Sequence, residues 1–154
     1  MGVYYFDSSA LVKRYAQEVG TARVTDLTNP LSGNTILVAL VTGAEMVAAV
    51  TRKARTGSIP LQAAQAALTN FKRHFKTEYL VVLINGAVVD LAMDLAERHG
   101  LRGYDAIQLA SALTVQAELS TDGTTLTAFV SADTNLNTAA RSEGLTVENP
   151  LDYS

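Results

Sequence analysis

The chain of 154 residues contains no cysteine, which excludes a disulfide framework, a thiolate metal site and a catalytic thiol. It also lacks a long apolar run: Glu45 lies near the centre of the longest uncharged stretch, so we expect no membrane-spanning segment. No basic stretch followed by an apolar core opens the sequence, so we expect no secretion signal and a cytoplasmic location. The absence of a glycine-rich phosphate-binding loop argues against a P-loop nucleotidase.

The composition is that of a folded protein. Hydrophobic residues make up 48% of the chain and charged residues only 18%, which excludes an intrinsically disordered segment. The length suffices to bury one core, and no linker or internal repeat divides the chain. We therefore predict a single domain spanning residues 1–154.

Acidic residues are missing from one long segment, between Glu45 and Glu78, although the whole chain has a net charge of −3. The cations of this segment are Arg52, Lys53, Arg55, Lys72, Arg73 and Lys76. Such a basic region can contact nucleic-acid phosphates, and it can equally form a solvated helical face. The sequence leaves both interpretations open.

Strand and helix patterns alternate along the chain. Short apolar runs predict strands at 3–6, 35–38, 79–84, 127–131 and 145–148. Periodic segments with capping or stop residues predict helices at 9–17, 21–27, 41–55, 60–76, 87–98, 104–117 and 134–142. The polar stretch 120–125 is predicted to be a loop. This alternation is typical of an α/β fold with a parallel sheet of about four to five strands, covered by helices on both faces.

Four carboxylates lie at the ends of these predicted elements or within them. Asp7 and Asp133 follow predicted strands, Asp105 opens an apolar helix, and Glu45 interrupts an uncharged helix. Ligands of open parallel sheets bind outside the carboxyl ends of the strands, so these side chains have reason to converge. Carboxylate oxygens suit Mg²⁺ or Mn²⁺ rather than zinc, and the set indicates metal-dependent phosphodiester chemistry.

Each acid also has a structural interpretation. Asp7 and Asp133 can cap the helices that follow them, and Asp105 can interact with its helix dipole. Glu45 is the hardest to explain in this way, because no basic residue lies three or four positions away on its helix. The only histidines, His74 and His99, match no metal-ligand spacing and are predicted to lie on the surface.

The motifs around these acids resemble a known family, the PIN domains of VapC toxins, which are the ribonuclease halves of toxin–antitoxin pairs. The matching blocks are 4–13 (YYFDSSALVK), 42–46 (TGAEM), 101–113 (LRGYDAIQLASAL), 129–133 (FVSAD) and 139–145 (AARSEGL). They contain all four acids in order and span nearly the whole chain. One departure is Gln108, at a position where the family frequently has a histidine.

The resemblance implies a three-layer PIN-like fold and a divalent-metal-dependent endoribonuclease. Its catalytic residues and Mg²⁺ or Mn²⁺ ligands would be Asp7, Glu45, Asp105 and Asp133. It further implies an RNA substrate, a homodimer and a cognate antitoxin, as in the toxin of a type II toxin–antitoxin system. The hydroxyls of Ser8 and Ser131 are expected to support the site, with Asn135 as an outer partner.

Two other functions are weighed against this one. An aspartyl-phosphate phosphatase would need a second aspartate two residues after Asp7, and Ser9 occupies that position. A PIN-like module that binds RNA or a protein without cleaving it is the remaining alternative. Loss of one of the four acids would favour that module, and none is lost.

Overall fold

The computed structural model describes residues 1–153 and contains a five-stranded parallel sheet in the order β3-β2-β1-β4-β5. The strands are β1 (Val3–Phe6), β2 (Thr35–Ala39), β3 (Leu80–Val82), β4 (Ala128–Val130) and β5 (Val147–Glu148). The predicted α/β class, the parallel sheet and its strand number are confirmed.

Helices connect these strands. They are α1 (Ser8–Leu11), α2 (Thr21–Thr28), α3 (Thr42–Arg55), α4 (Leu61–Thr77), α5 (Gly86–His99), α6 (Gly103–Thr121) and α7 (Thr134–Ser142). Short 3₁₀ turns occupy Val12–Arg14, Pro30–Ser32 and Pro150–Asp152. No helix within residues 1–153 combines the length and the apolar character that crossing a membrane requires.

The sheet separates two hydrophobic cores, because successive side chains of a strand point to opposite faces. Tyr5 of β1 lies in the core formed with α5, α6 and α7, where its ring stacks on Phe129 of β4. Its neighbour Phe6 lies in the core formed with α1 to α4, together with Met46. The result is the predicted three-layer arrangement of helix, sheet and helix.

The order of the strands creates a switch point between β1 and β4. The chain builds β1, β2 and β3 outward to one edge and then returns to place β4 on the other side of β1. In the register of this pair, Phe6 lies opposite Val130. The residue after β1, Asp7, continues the pairing through its backbone N–H, which donates to Val130 O at 3.1 Å. Parallel sheets bind ligands in the crevice at such a point.

Element ends differ from the predictions in several places. The helix expected at 9–17 ends at Leu11 and tightens into the 3₁₀ turn Val12–Arg14. The edge strands β3 and β5 are shorter than predicted, as is common for strands whose outer backbone groups are unpaired. The stretch predicted as a loop at 120–125 begins as helix, since α6 continues to Thr121, and the hydroxyls of Ser120 and Thr121 bond to carbonyls one turn back.

Candidate active site

All four predicted acids line one open cavity of about 560 Å³. Asp7 and Asp133 follow β1 and β4, the two strands that flank the switch point, so the sheet places them side by side. Glu45 lies in the first turn of α3 and Asp105 in the first turn of α6. Four separate elements therefore each present one carboxylate to the same cavity.

Asp7 is nearly buried and held at both oxygens. Its Oδ1 accepts from Ser9 Oγ at 2.6 Å and from the backbone N–H of Ala10 at 3.2 Å. Its Oδ2 accepts from Ser131 Oγ at 3.2 Å. Burial raises the pKa of Asp7 to about 7, because desolvation of the charged form outweighs the hydrogen bonds that favour it. Asp7 caps α1 as predicted, and the same side chain lines the cavity.

Glu45 is half-buried, and its carboxylate is held by an amide from another helix. Gln108 Nε2 of α6 donates to Glu45 Oε1 at 2.6 Å. Burial raises the pKa of Glu45, the Gln108 and Ser8 side chains oppose that rise, and the charge of Asp105 adds to it. No cation neutralises this carboxylate among its hydrogen-bond and ion-pair partners within residues 1–153. This environment agrees with the sequence, in which no basic residue lies three or four positions from Glu45.

Asp105 and Asp133 share a cationic neighbour. Arg102 Nε lies 3.3 Å from Asp105 Oδ2, and Arg102 Nη2 lies 3.7 Å from Asp133 Oδ2. Burial and then the charge of Asp133 raise the pKa of Asp105, against the effect of Arg102. Asp133 also caps α7, since its Oδ1 accepts from Leu136 N at 3.0 Å. The arginine side chain is 85% exposed, so it screens the two acids from the solvent side without burying them.

These side chains have the chemistry of a site for a hard divalent cation. The donors are carboxylate oxygens, and the raised pKa values of Asp7, Glu45 and Asp105 indicate that the protein compensates these charges poorly. Within residues 1–153 no three acidic or histidine side chains are already close enough to hold one ion. The acids line a common cavity without forming a closed coordination cage.

Three supporting residues were not predicted from the sequence. Ser9 donates the short bond to Asp7, and Gln108 holds Glu45, which the predicted Ser8 also contacts. Asn135, the predicted outer partner, is exposed, whereas the buried Asn137 donates from Nδ2 to Ser131 O at 2.8 Å. The sequence carried a signal only for Ser9, which belongs to the pair of hydroxyl residues directly after Asp7.

Both histidines, which were predicted to lie on the surface, are half-buried. The side chain of His74 is only 12% exposed and its Nδ1 lies 2.7 Å from Tyr15 Oη. The side chain of His99 is 14% exposed, and its Nε2 lies 2.7 Å from Glu143 Oε2. Each ring has an aromatic or acidic partner far away in the sequence, which a local pattern does not reveal. Neither histidine lines the cavity.

The basic region is divided by the fold. Arg52 of α3 is exposed and lines the cavity. Lys53 turns away and pairs with Glu18, Nζ to Oε2 at 3.0 Å, and Glu18 also binds the buried Lys13. The remaining cations lie toward the end of α3 or on α4, outside the residues that line the cavity.

The chain is similar to known proteins both in sequence and in fold. The sequence model of the family described as PIN domain matches residues 4–141. A crystal structure of PAE2754 from Pyrobaculum aerophilum superposes with a TM-score of 0.61 at 20% identity, covering 98% of this chain and 85% of that one. VapBC2 from Rickettsia felis, solved with a DNA fragment from its promoter, gives 0.60 at 16% identity, covering 96% and 98%. No curated protein matches the chain.

Proposed function

This chain belongs to the PIN-domain family, and on that basis we propose that it is a Mg²⁺- or Mn²⁺-dependent endoribonuclease. Its substrate would be RNA and its reaction the hydrolysis of a phosphodiester bond. The proposal assigns Asp7, Glu45, Asp105 and Asp133 as the catalytic residues and metal ligands.

One observation carries the proposal: four carboxylates from four elements line one cavity at the switch point of the sheet. A protein that used these acids only as caps would gain nothing from placing them around a common space. Their mutual repulsion and burial instead raise the pKa values of three of them, which is a cost to the metal-free fold. Costly clusters of ionisable groups in a cleft mark functional sites.

The residues at the cavity would have distinct roles in such a hydrolysis. When bound, a divalent ion supplies Lewis-acid chemistry that activates water and compensates charge on the phosphate. Asp7 is oriented by Ser9 and Ser131 at both oxygens, so its lone pairs have fixed directions. Arg52 and Arg102 are exposed and line the cavity, which supports a role for them in binding RNA phosphates.

Cleavage of an end-labelled RNA tests the proposal. The wild type is expected to cut internally with Mn²⁺ or Mg²⁺ and to be inactive in EDTA. Asp7→Asn and Asp105→Asn should each abolish cleavage while the protein remains folded by circular dichroism. Asp90→Asn is the matched control, because Asp90 is an exposed acid of α5 outside the cavity lining.

The outcomes separate the candidate functions. Cleavage that persists in EDTA would remove the metal mechanism, and activity in both cavity variants would place the site elsewhere. RNA binding without cleavage under any metal condition would identify the non-catalytic PIN-like module instead.

We also propose that the protein is the toxin of a type II toxin–antitoxin pair and forms a homodimer. The Rickettsia felis relative of the same fold was solved as a VapBC2 assembly, which supports a cognate antitoxin here. Co-expression with the product of a small reading frame that overlaps upstream, followed by co-purification, tests the partner. Light scattering on the isolated chain tests the dimer, and a monomeric mass would contradict it.

A further inference from the structure

One buried polar side chain stands out in the helix that carries Asp105. Gln108 is only 1% exposed, and α6 is otherwise apolar on its buried side apart from Ser111. Burying an amide without a hydrogen-bond partner destabilises a protein, so buried amides are almost always hydrogen-bonded. The partners of Gln108 therefore indicate why it is there.

The amide of Gln108 uses both of its ends. Its Nε2 donates to Glu45 Oε1 at 2.6 Å and to Thr42 Oγ1 at 2.8 Å. Its Oε1 accepts from Tyr5 Oη at 2.8 Å. A carboxylate can only accept, so Glu45 requires the amide nitrogen to face it, and the carbonyl oxygen is left for the tyrosine hydroxyl.

This arrangement links the sheet to the candidate site. Tyr5 is held firmly, since it is fully buried in β1 and stacked on Phe129 at 5.6 Å between ring centroids. Its hydroxyl fixes the amide plane of Gln108, and the amide fixes one oxygen of Glu45. Tyr5 and Gln108 do not line the cavity themselves.

We infer that Gln108, anchored by Tyr5, is a positioning residue that holds the Glu45 carboxylate in the orientation needed to bind a divalent cation in the cavity. The inference rests on the proposed function, because it concerns the same metal site. A glutamate on a helix has several rotatable bonds, and fixing one oxygen removes most of their freedom before the ion arrives. Outer-sphere partners of metal ligands typically change metal affinity about 10- to 100-fold when they are removed.

Thr42 provides the matched control. It is fully buried and accepts the other Nε2 hydrogen of the same amide, but it touches no carboxylate in the network. Thr42→Val deletes one hydrogen bond of the buried amide, whereas Gln108→Met deletes all three, including the bond to Glu45, and both changes keep nearly the same volume. A purely structural role predicts that both variants lose stability and neither changes metal binding. A positioning role predicts that only the glutamine variant weakens metal binding.

The experiment is a titration of the full chain with Mn²⁺, in which free Mn²⁺ is followed by its electron paramagnetic resonance signal without any RNA present. Gln108→Met is expected to raise the Mn²⁺ dissociation constant about 10- to 100-fold. Tyr5→Phe, which keeps the stacked ring but removes the anchoring hydroxyl, should raise it by a smaller factor. The double variant should bind like Gln108→Met alone, because both changes act through one contact.

Several results would overturn the inference. Wild-type Mn²⁺ affinity in folded Gln108→Met would show that the network only satisfies buried groups. An equal loss of affinity in Thr42→Val would show that the effect does not come from the contact between Gln108 and Glu45. If Gln108→Met does not fold, the Tyr5→Phe variant decides instead. An unchanged Mn²⁺ affinity in Tyr5→Phe would overturn the inference. A wild type that binds no Mn²⁺ would refute the proposed metal site itself. If the wild type binds Mn²⁺ and Gln108→Met binds it equally well, only the role of Gln108 is refuted.

Discussion

Asp7 shows how one side chain serves both the fold and the site. It caps α1 through the backbone N–H of Ala10 and also faces the cavity, so the structural and functional interpretations of this residue are not exclusive. The same is true of Asp133 at the start of α7. Because each of these two acids both caps a helix and lines the cavity, the effect of its charge has to be tested separately from that of its hydrogen bonds.

The pH dependence of stability isolates the charge of Asp7. Its pKa is about 7 in the folded protein and near 3.8 when unfolded, so between these values the native state holds a proton that the unfolded state has released. Stability of the metal-free protein should therefore fall as pH rises from about 4 to 7, by an amount on the order of 4 kcal/mol. Urea unfolding in EDTA across this range measures it.

Asp7→Asn is expected to remove most of this pH dependence. The amide keeps an oxygen for the Ser9 hydroxyl and the Ala10 N–H, and Ser131 Oγ can accept from the new NH₂ group. The variant should match the wild type near pH 4 and exceed it at pH 8. Asp90→Asn should leave the wild-type curve intact. A wild type whose stability rises over the same pH range would contradict the raised pKa.

Two substitutions of Asp133 separate its charge from its cap. Asp133→Asn keeps an oxygen for Leu136 N and removes the charge near Asp105, so the metal-free protein should be as stable as the wild type or more so. Asp133→Ala also removes the cap and should cost about 1 kcal/mol. Thermal melts in EDTA compare the three proteins. Equal destabilisation by both changes would mean that the carboxylate charge stabilises the fold.

At the scale of elements, the start of α2 depends on a glycine. Gly20 has a φ of 92°, and a Cβ at this position would lie 2.8 Å from the backbone oxygen of Pro150. The 3₁₀ turn Pro150–Asp152 thus packs against the helix start at a distance that only glycine allows. The contact joins the end of the described chain to the layer of α1 to α4.

Gly20→Ala should therefore be more destabilising than an alanine at another left-handed glycine. Gly57 has a φ of 79°, and a Cβ added there would meet no atom within 4 Å, so Gly57→Ala incurs the backbone cost alone. That cost is about 1–2 kcal/mol, and Gly20→Ala should exceed it. Denaturant midpoints give the comparison. Equal losses of stability in the two variants would show that the turn at Pro150 moves to accommodate the added Cβ without destabilising the protein.

At the scale of the whole molecule, the acidic net charge conceals an uneven distribution. Arg52 and Arg102 stand at the cavity, while Lys72, Arg73 and Lys76 lie on α4 outside its lining. The fold therefore favours phosphate contact for the cations at the cavity, and a solvated face for those of α4. We therefore expect the two interpretations left open by the sequence to apply to different parts of the basic region.

RNA binding at several salt concentrations tests this division. In an Asp7→Asn background with Mg²⁺, Arg52→Gln should lower the salt slope of the binding constant by about 0.7–0.9, the value for one phosphate contact. Neutralising Lys72, Arg73 and Lys76 together should leave the slope unchanged. A slope that falls by about two or more in the triple variant would instead make α4 part of the RNA-binding surface.

Local sequence was sufficient to predict the order and type of the secondary-structure elements and to identify the four acids as candidates. Apolar runs, caps and glycine stops act within a few residues, so strands such as Val3–Phe6 and helices such as Thr134–Ser142 could be predicted with their bounds. The acids were found because each interrupts or ends an apolar element, and the motifs around them were specific enough to indicate the family.

The surroundings of those acids depend on tertiary contacts. Gln108 lies 63 positions from Glu45 and 103 from Tyr5, and no local pattern links them. The switch point that brings Asp7 beside Asp133 depends on the placement of β4 next to β1, which the alternation of strands and helices does not specify. The burial of His74 and His99 likewise comes from contacts with distant elements. Contacts across the chain follow from packing, and local sequence does not encode them.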